Sequence, residues 1–270
     1  MAKAKTLVCV HAHPDDEAIF TSGVSTHYAG LGHRVVLITC TNGKLGFDNK
    51  NRAGNEKKHN DVATKAIRAA ELQRAAAITG FSRVVTLGFD DSGMVGWPQN
   101  ANPDAFMNVN VDAVAKTLAA LFDEEDASVV LTYDENGFYG HPDHIMANTV
   151  TRRALQLATS PERLYYPVIA RSAITRFVPK AQKRGVFLPA WVLEADAGTP
   201  DELVDTTMDV TKYAATKQLA LQTHKSQSDN ADLVDMDSDL FALLFGTEFY
   251  QRAWSRQPAT DDATDLFGGL

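Results

Sequence analysis

The sequence predicts an α/β fold, built on a parallel sheet of strand order 3-2-1-4-5 with helices on both faces and a smaller C-terminal α+β extension. Three observations carry that expectation. Apolar runs of strand length alternate with helical stretches through residues 1–166, the pattern from which parallel sheets are made. Two of those runs, Thr6 to Val10 and Val129 to Tyr133, lead into near-copies of one stretch, His13-Pro14-Asp15-Asp16-Glu17 and His141-Pro142-Asp143-His144. With right-handed crossovers, this order makes the first and fourth strands neighbours whose connections leave in opposite directions, so a crevice opens at their carboxyl ends. The two histidine stretches stand at those ends. The arrangement is Rossmann-like, but no G-x-G-x-x-G follows the first strand, which removes a dinucleotide site.

Taken in order, Thr6-Leu7-Val8-Cys9-Val10 is mostly apolar, as a strand buried on both faces requires. Pro14 biases His13 toward extended backbone and suits a first helical turn, so strand gives way to helix there. The helix reads from Ala18 to Ala29, with Gly30 and Gly32 as its stop. Arg34 to Cys40 is the second strand. The polar stretch from Thr41 to Asn60 carries Lys44, Lys50, Arg52, Lys57, Lys58 and His59, and either rims a pocket or forms a solvated basic face. Asp61 caps an alanine-rich helix that runs to Thr79 and stops at Gly80. Arg83 to Leu87 is the third strand, and Gly88 to Asn110 a loop rich in Gly, Pro and Asn. Val111, Val114, Leu118, Leu121 and Phe122 share one helical face, which packs on the sheet. After the fourth strand, Asp134 to Gly140 feeds the second histidine stretch, whose helix ends near Ser160-Pro161; Leu164-Tyr165-Tyr166 begins a fifth strand.

Beyond Pro167 the periodicity weakens. Trp191 to Ala195 and Val204 to Val210 read as short strands, and Lys212 to His224 as a helix. No linker or repeat divides the chain, so one domain is expected over residues 1–257, with 1–166 as the Rossmann-like core and 167–257 as an extension packed on it. The acidic, small-residue tail over residues 258–270 is expected to be disordered.

Imidazole and carboxylate together suit Zn²⁺, and a catalytic zinc keeps three protein ligands and one open position. His13, Asp16 and His144 would supply that set, and Fe²⁺ accepts the same donors. Asp15 and His141 would then stand unligated beside the open position, as the base and acid that hydrolysis needs. The alternative, acids capping a helix beside solvated histidines, explains one such stretch more easily than two at matching junctions.

Composition narrows the rest. With 270 residues, 44% hydrophobic and 22% charged, the balance is that of an ordinary globular chain. A net charge of -8 argues against a protein that reads a nucleic-acid backbone. Cys9 and Cys40 fall inside strands, so they read as core residues and not as a disulfide framework. No run approaches membrane-spanning length, and the apolar stretch after Met1-Ala2-Lys3-Ala4-Lys5 is too short for a signal peptide; the expected location is the cytoplasm. Oligomeric state is left open, a homo-oligomer included.

His13-Pro14-Asp15-Asp16-Glu17 with Tyr139-Gly140-His141-Pro142-Asp143-His144 resembles the zinc-dependent PIG-L/LmbE-like de-N-acetylases, and within them the mycothiol-pathway deacetylase and amidase branch. Thr39-Cys40-Thr41, Arg68 with Glu71, Asp91-Ser92-Gly93-Met94 and Thr132-Tyr133-Asp134 extend the resemblance, which is good over about residues 6–155 and thins afterwards, apart from Lys217 to Gln227. It implies a zinc hydrolase that removes an acyl group, acetyl above all, from the amine of a small N-acetylglucosamine-containing molecule. Asp15 is the expected general base. His141, helped by Tyr139, would stabilise the oxyanion, Asp143 would fix His141, and Glu17 would support a ligand or cap its helix. On the substrate side the resemblance points to Arg68, Asp91, Met94 and His224. Each has a plainer alternative: a surface pair of Arg68 with Glu71, a turn-forming Asp91, an ordinary loop Tyr139, a His224 that complements a helix dipole. Rival readings of the whole are an amidase of mycothiol S-conjugates, a metal-dependent phosphoesterase and a non-catalytic sugar-binding module; the last would not need Asp15.

Overall fold

The protein is described here by a computed structural model covering residues 4–258 and 263–270. In chain order the elements are β1 (Thr6–His11), α1 (Asp16–Phe20), α2 (Ser22–Gly30), β2 (Arg34–Thr41), α3 (Asp61–Thr79), β3 (Arg83–Phe89), α4 (Val111–Glu124), β4 (Ala127–Leu131), the single distorted turn α5 (Gly137–Gly140), α6 (Pro142–Leu155) and β5 (Arg163–Val168). The extension adds α7 (Arg171–Lys183), β6 (Thr206–Asp209), α8 (Ala214–Thr223), the one-turn α9 (Ala231–Val234), α10 (Ser238–Phe245) and β7 (Thr247–Ser255).

The seven strands form one sheet of order β3-β2-β1-β4-β5-β7-β6. The first five pair in parallel in the predicted order; β7 lies antiparallel to β5, and β6 antiparallel to β7. β1 is central and buried at all six positions. Its Val8 and Val10 pack with Val114, Leu118 and Phe122 of α4 and Val150 of α6, while Leu7 and Cys9 pack on the other face with Val24, Tyr28 and Leu72. Each fully buried Val or Leu is worth about 1.5–3 kcal/mol, so a two-sided apolar strand is held firmly in one register. A third cluster, with Ala18, Ala75, Phe177, Leu221 and Phe241, joins the extension to α1 and α3. Cys9 and Cys40 are both free and buried, as their strand positions predict.

Several expectations change. The helix read over Ala18 to Ala29 is two helices broken at Thr21. The break has a tertiary cause: the Glu248 carboxylate from β7 accepts from the Gly23 and Val24 N–H groups (2.9 and 3.0 Å), giving α2 its own capped start. A side chain at Gly23 would strike that carboxylate, since a Cβ there would lie 2.5 Å from Glu248 Oε1. α3 is capped by Asn60, whose side chain accepts from Ala63 N, and Asp61 is its first residue. Trp191 to Ala195 is no strand but overlaps a short 3-10 turn over Ala190–Leu193, and β7 is a strand that the sequence pattern does not predict. In the tail expected to be disordered, residues 259–262 lie outside the described residues, whereas Leu266 and Phe267 are buried against Tyr28 and the Leu266 N–H donates to its hydroxyl (2.9 Å).

Candidate metal and catalytic site

β1 and β4 are parallel neighbours, so the segments that follow them emerge side by side. The rings of His13, His141 and His144 converge there, with centroids 4.5 to 5.3 Å apart, and all three are buried. His144 Nε2 lies 3.3 Å from His13 Nδ1 and 3.5 Å from Asp16 Oδ1. Two donors held about 2.0–2.2 Å from one tetrahedral ion lie about 3.3–3.6 Å from each other, so these atoms have the spacing of a shared ligand set.

The remaining atoms of the same side chains are already satisfied. His13 Nε2 faces Asp143 Oδ2 at 3.2 Å, and Asp143 in turn accepts from Ser92 N (2.9 Å) and from the Ser92 hydroxyl. His144 Nδ1 faces the Gly137 carbonyl (3.2 Å). Asp16 Oδ2 accepts from His13 N (2.7 Å) and from the Tyr133 hydroxyl (2.6 Å). His13 Nδ1, which also lies 3.4 Å from Asp16 Oδ2, His144 Nε2 and Asp16 Oδ1 thus stand close together while the other atoms of these side chains are held, the kind of support that metal ligands require. Tyr133 does more. Its oxygen also accepts from Ala12 N (2.8 Å), and its ring stacks on His144 with centroids 3.9 Å apart. A carboxylate, a backbone turn and an imidazole are all aligned by one buried tyrosine.

One expectation is corrected at this point. Asp143 does not fix His141; its carboxylate reaches His13 instead, because His141 caps α6 and its Nδ1 accepts from the Asp143 backbone N–H (3.1 Å). That bond leaves the proton of a neutral His141 on Nε2. Burial, with His13 and His144 adding their charge, pushes the pKa of His141 down to about 2. His13, His141 and His144 bring nitrogens within 4.8 Å of one another, as do His13 and His141 with carboxylate oxygens of Asp91 and Asp143, so either group could hold an ion if His141 gave up its Nε2 proton. Burial works against a charged His13, but Asp91, Asp143 and Asp16 outweigh it and hold its pKa well above the imidazole range. Asp16, although desolvated, is held well below the carboxylate range by His144 and His13.

Asp15 adopts φ 110°, a left-handed conformation that costs a non-glycine residue about 1–3 kcal/mol unless its surroundings hold it. They do so from three sides. Glu17 Oε2 accepts from Asp15 N (3.0 Å), Asn230 Nδ2 donates to Asp15 Oδ2 (3.1 Å), and Arg68 donates to Asp15 Oδ1 (3.1 Å). Arg68 also donates to the Pro14 and Gly43 carbonyls (2.5 and 2.8 Å). It is therefore no surface partner of Glu71, which accepts from Ser226 instead. His224 is fully buried with its Nε2 2.6 Å from Glu17 Oε1, so it backs the Asp15 segment and does not face substrate, a correction to its expected role. Burial opposes protonation of His224, but Glu17 raises its pKa.

Tyr139 is 54% exposed, with its ring 5.0 Å from that of His144 and 6.0 Å from that of His141. It lies on the distorted turn α5, where Phe138 has φ 65° and Gly137 φ 62°. Gly137 is required there, because a Cβ would meet His144 Cβ at 2.8 Å. Asp91 is buried and combines both of its readings: Oδ1 accepts from Gly93 N (2.8 Å) as a turn residue does, and the same atom lies 3.7 Å from His13 Nε2. Met94 is half-buried on the neighbouring loop. Tyr133, Ser92 and Asn230 were not singled out from the sequence as site residues. The first two lie inside Thr132-Tyr133-Asp134 and Asp91-Ser92-Gly93-Met94, which carried the signal without a role.

Comparisons with known proteins supply the family. The profile of the PIG-L family, described as GlcNAc-PI de-N-acetylase, matches residues 8–155. The chain belongs to that family. A 1D-myo-inositol 2-acetamido-2-deoxy-alpha-D-glucopyranoside deacetylase of Thermobifida fusca (strain YX) is 37% identical over 238 residues, 83% of each chain. A protein of the same description from Saccharomonospora viridis is 36% identical over 277 residues, 98% of this chain and 100% of its own. Among solved structures, N,N'-diacetylchitobiose deacetylase from Pyrococcus horikoshii superposes with a TM-score of 0.60 at 17% identity, covering 93% of this chain and 84% of that one. GalB, a 4-carboxy-2-hydroxymuconate hydratase, superposes equally well at 16% identity, covering 95% and 99%. At such identities the likeness is one of fold, and the fold by itself does not choose the reaction.

Proposed function

We propose that the protein is a metal-dependent de-N-acetylase that hydrolyses the acetamide of a small N-acetylglucosamine-containing molecule, with an N-acetylglucosaminyl inositol as the first candidate. The convergence of His13 Nδ1, His144 Nε2 and Asp16 Oδ1 beside Asp15 carries this reading, and the descriptions of the full-length relatives support the substrate class. Zn²⁺ is the proposed ion, which His13, Asp16 and His144 would hold; it would supply Lewis acidity and lower the pKa of the attacking water to about 7.

The protein's own groups do the rest. Asp15, pinned by Arg68 and Asn230, takes the proton of the attacking water and returns it to the amine nitrogen as the C–N bond breaks. His141 offers its Nε2 proton to the oxyanion, and exposed Tyr139, its ring 6.0 Å from that of His141, is the second donor. Asp91 and Met94 border the site on the loop after β3, where they would meet the sugar.

The test is acetate release from a small panel of N-acylated glucosamine compounds by wild type and Asp15→Ala. The variant should hold about one zinc per chain and lose at least a hundredfold in turnover, the usual scale of a general base. Retained turnover would remove Asp15 as the base, and no release from any panel member by wild type would overturn the substrate class.

A further inference from the structure

A cavity of about 320 Å³ lies among β5, α7, α10 and β7, and its walls offer little to a polar acetamido sugar. Ile169, Phe177, Leu188, Trp191, Phe245 and Phe249 give it an almost wholly apolar lining. Its charged lining residues are Lys217, Glu248 and Asp232. Lys217 Nζ and Glu248 Oε1 form a buried pair at 2.5 Å, and Glu248 also accepts from Gly23 N, Val24 N and the Tyr250 hydroxyl, so this pair presents no spare charge inward. Asp232 is exposed. Phe187 also lines the cavity and is 73% exposed, which makes an apolar lip open to solvent.

Phe20 and Phe138 line this cavity too. The Phe20 ring lies 6.3 Å from that of His144 and 4.9 Å from that of Phe138, which immediately precedes Tyr139, so these two phenylalanines are where the cavity comes near the metal site. None of His13, Asp15, Asp16, His141 or His144 lines it. Most of its lining lies beyond residue 155, where the family profile ends, and so belongs to the extension.

A polar or charged occupant would lose its hydration against these walls and gain almost no hydrogen bonds in return. An aliphatic chain loses nothing there and gains dispersion contacts on every side. We propose that the cavity is a binding site for a single aliphatic chain, the tail of a fatty alcohol or similar uncharged amphiphile, separate from the metal site and entered past Phe187.

Trp191 in the wall provides the readout. Zinc-loaded full-length protein is titrated with 1-hexanol, 1-octanol and 1-decanol while tryptophan fluorescence is followed, and Trp191→Phe identifies the part of the signal that comes from the cavity. The change should saturate, with each added methylene tightening binding about fourfold until the cavity is full. Ile169→Phe, which fills the cavity from the loop after β5, should weaken octanol about tenfold or more while leaving Tm and the KM for the acetamido sugar unchanged. A response that does not saturate, ignores chain length or survives Ile169→Phe would overturn the proposal. So would an octanol-induced rise in KM, because the chain would then be entering the metal site.

Discussion

Replacing Tyr133 by phenylalanine isolates a single oxygen atom. The ring that stacks on His144 stays, so the apolar packing of this fully buried residue is preserved. What goes is the 2.6 Å bond to Asp16 Oδ2, the acceptor for Ala12 N at 2.8 Å and a longer contact with His11 Nδ1 at 3.3 Å. The first is a hydrogen bond to a charged group, worth about 1.5–3 kcal/mol, and the second leaves a buried donor unsatisfied at about 1–3 kcal/mol. Some of each loss is recovered by relaxation, so the metal-free protein should be less stable by about 2–4 kcal/mol. Asp16 Oδ2 then keeps the His13 N–H alone and orients Oδ1 toward His144 Nε2 less firmly, and the loss of such an orienting partner typically costs 10–100-fold in metal affinity. The assay is zinc affinity by competition with a chromophoric chelator, alongside thermal melts of the metal-free form. A Tyr133→Phe protein that binds zinc within twofold of wild type would refute the alignment argued for Tyr133, whatever its activity.

Other outcomes follow from the same geometry. His13→Ala should lose the metal, and unchanged zinc content on metal analysis would overturn the ligand set. Arg68→Lys cannot bridge Asp15, Pro14 and Gly43 together, so turnover should drop about 100-fold with zinc retained; a KM change alone would make Arg68 a substrate contact. The raised pKa of His13 sets the sign of a pH effect: a ligand must be neutral, so below that pKa a proton competes with zinc and affinity should weaken about tenfold per pH unit. Equal zinc affinity at pH 6 and pH 8 would contradict it. Phe267→Ala should destabilise the protein by about 3 kcal/mol, as a packed aromatic would, whereas an unaltered Tm would mark residues 263–270 as dispensable.

The core of the fold was legible because its signals are local. Two-sided apolar runs of strand length suit buried parallel strands, and a proline just past each histidine sets where helix begins. What the sequence hid were partners supplied from far along the chain. Nothing near Thr21 announces a helix break, since the carboxylate that caps the new start is Glu248, 225 residues from Gly23. Nothing in the small-residue tail announces that Leu266 and Phe267 close over Tyr28. β7 has a mixed, half-exposed pattern, and only its pairing between β5 and β6 makes it a strand.

The site divides in the same way. By itself the sequence determined which donors exist and that two strand ends present them, because residue identity and backbone restriction are local properties. Only the tertiary structure decided which atom faces which: that Asp143 turns to His13 and not to His141, that Tyr133 holds Asp16, and that His224 stands behind Glu17. The physical reason is reach. A side chain chooses among hydrogen-bond partners within about 3 Å, and residues separated by more than a hundred positions come that close only when the packed sheet sets β1 beside β4.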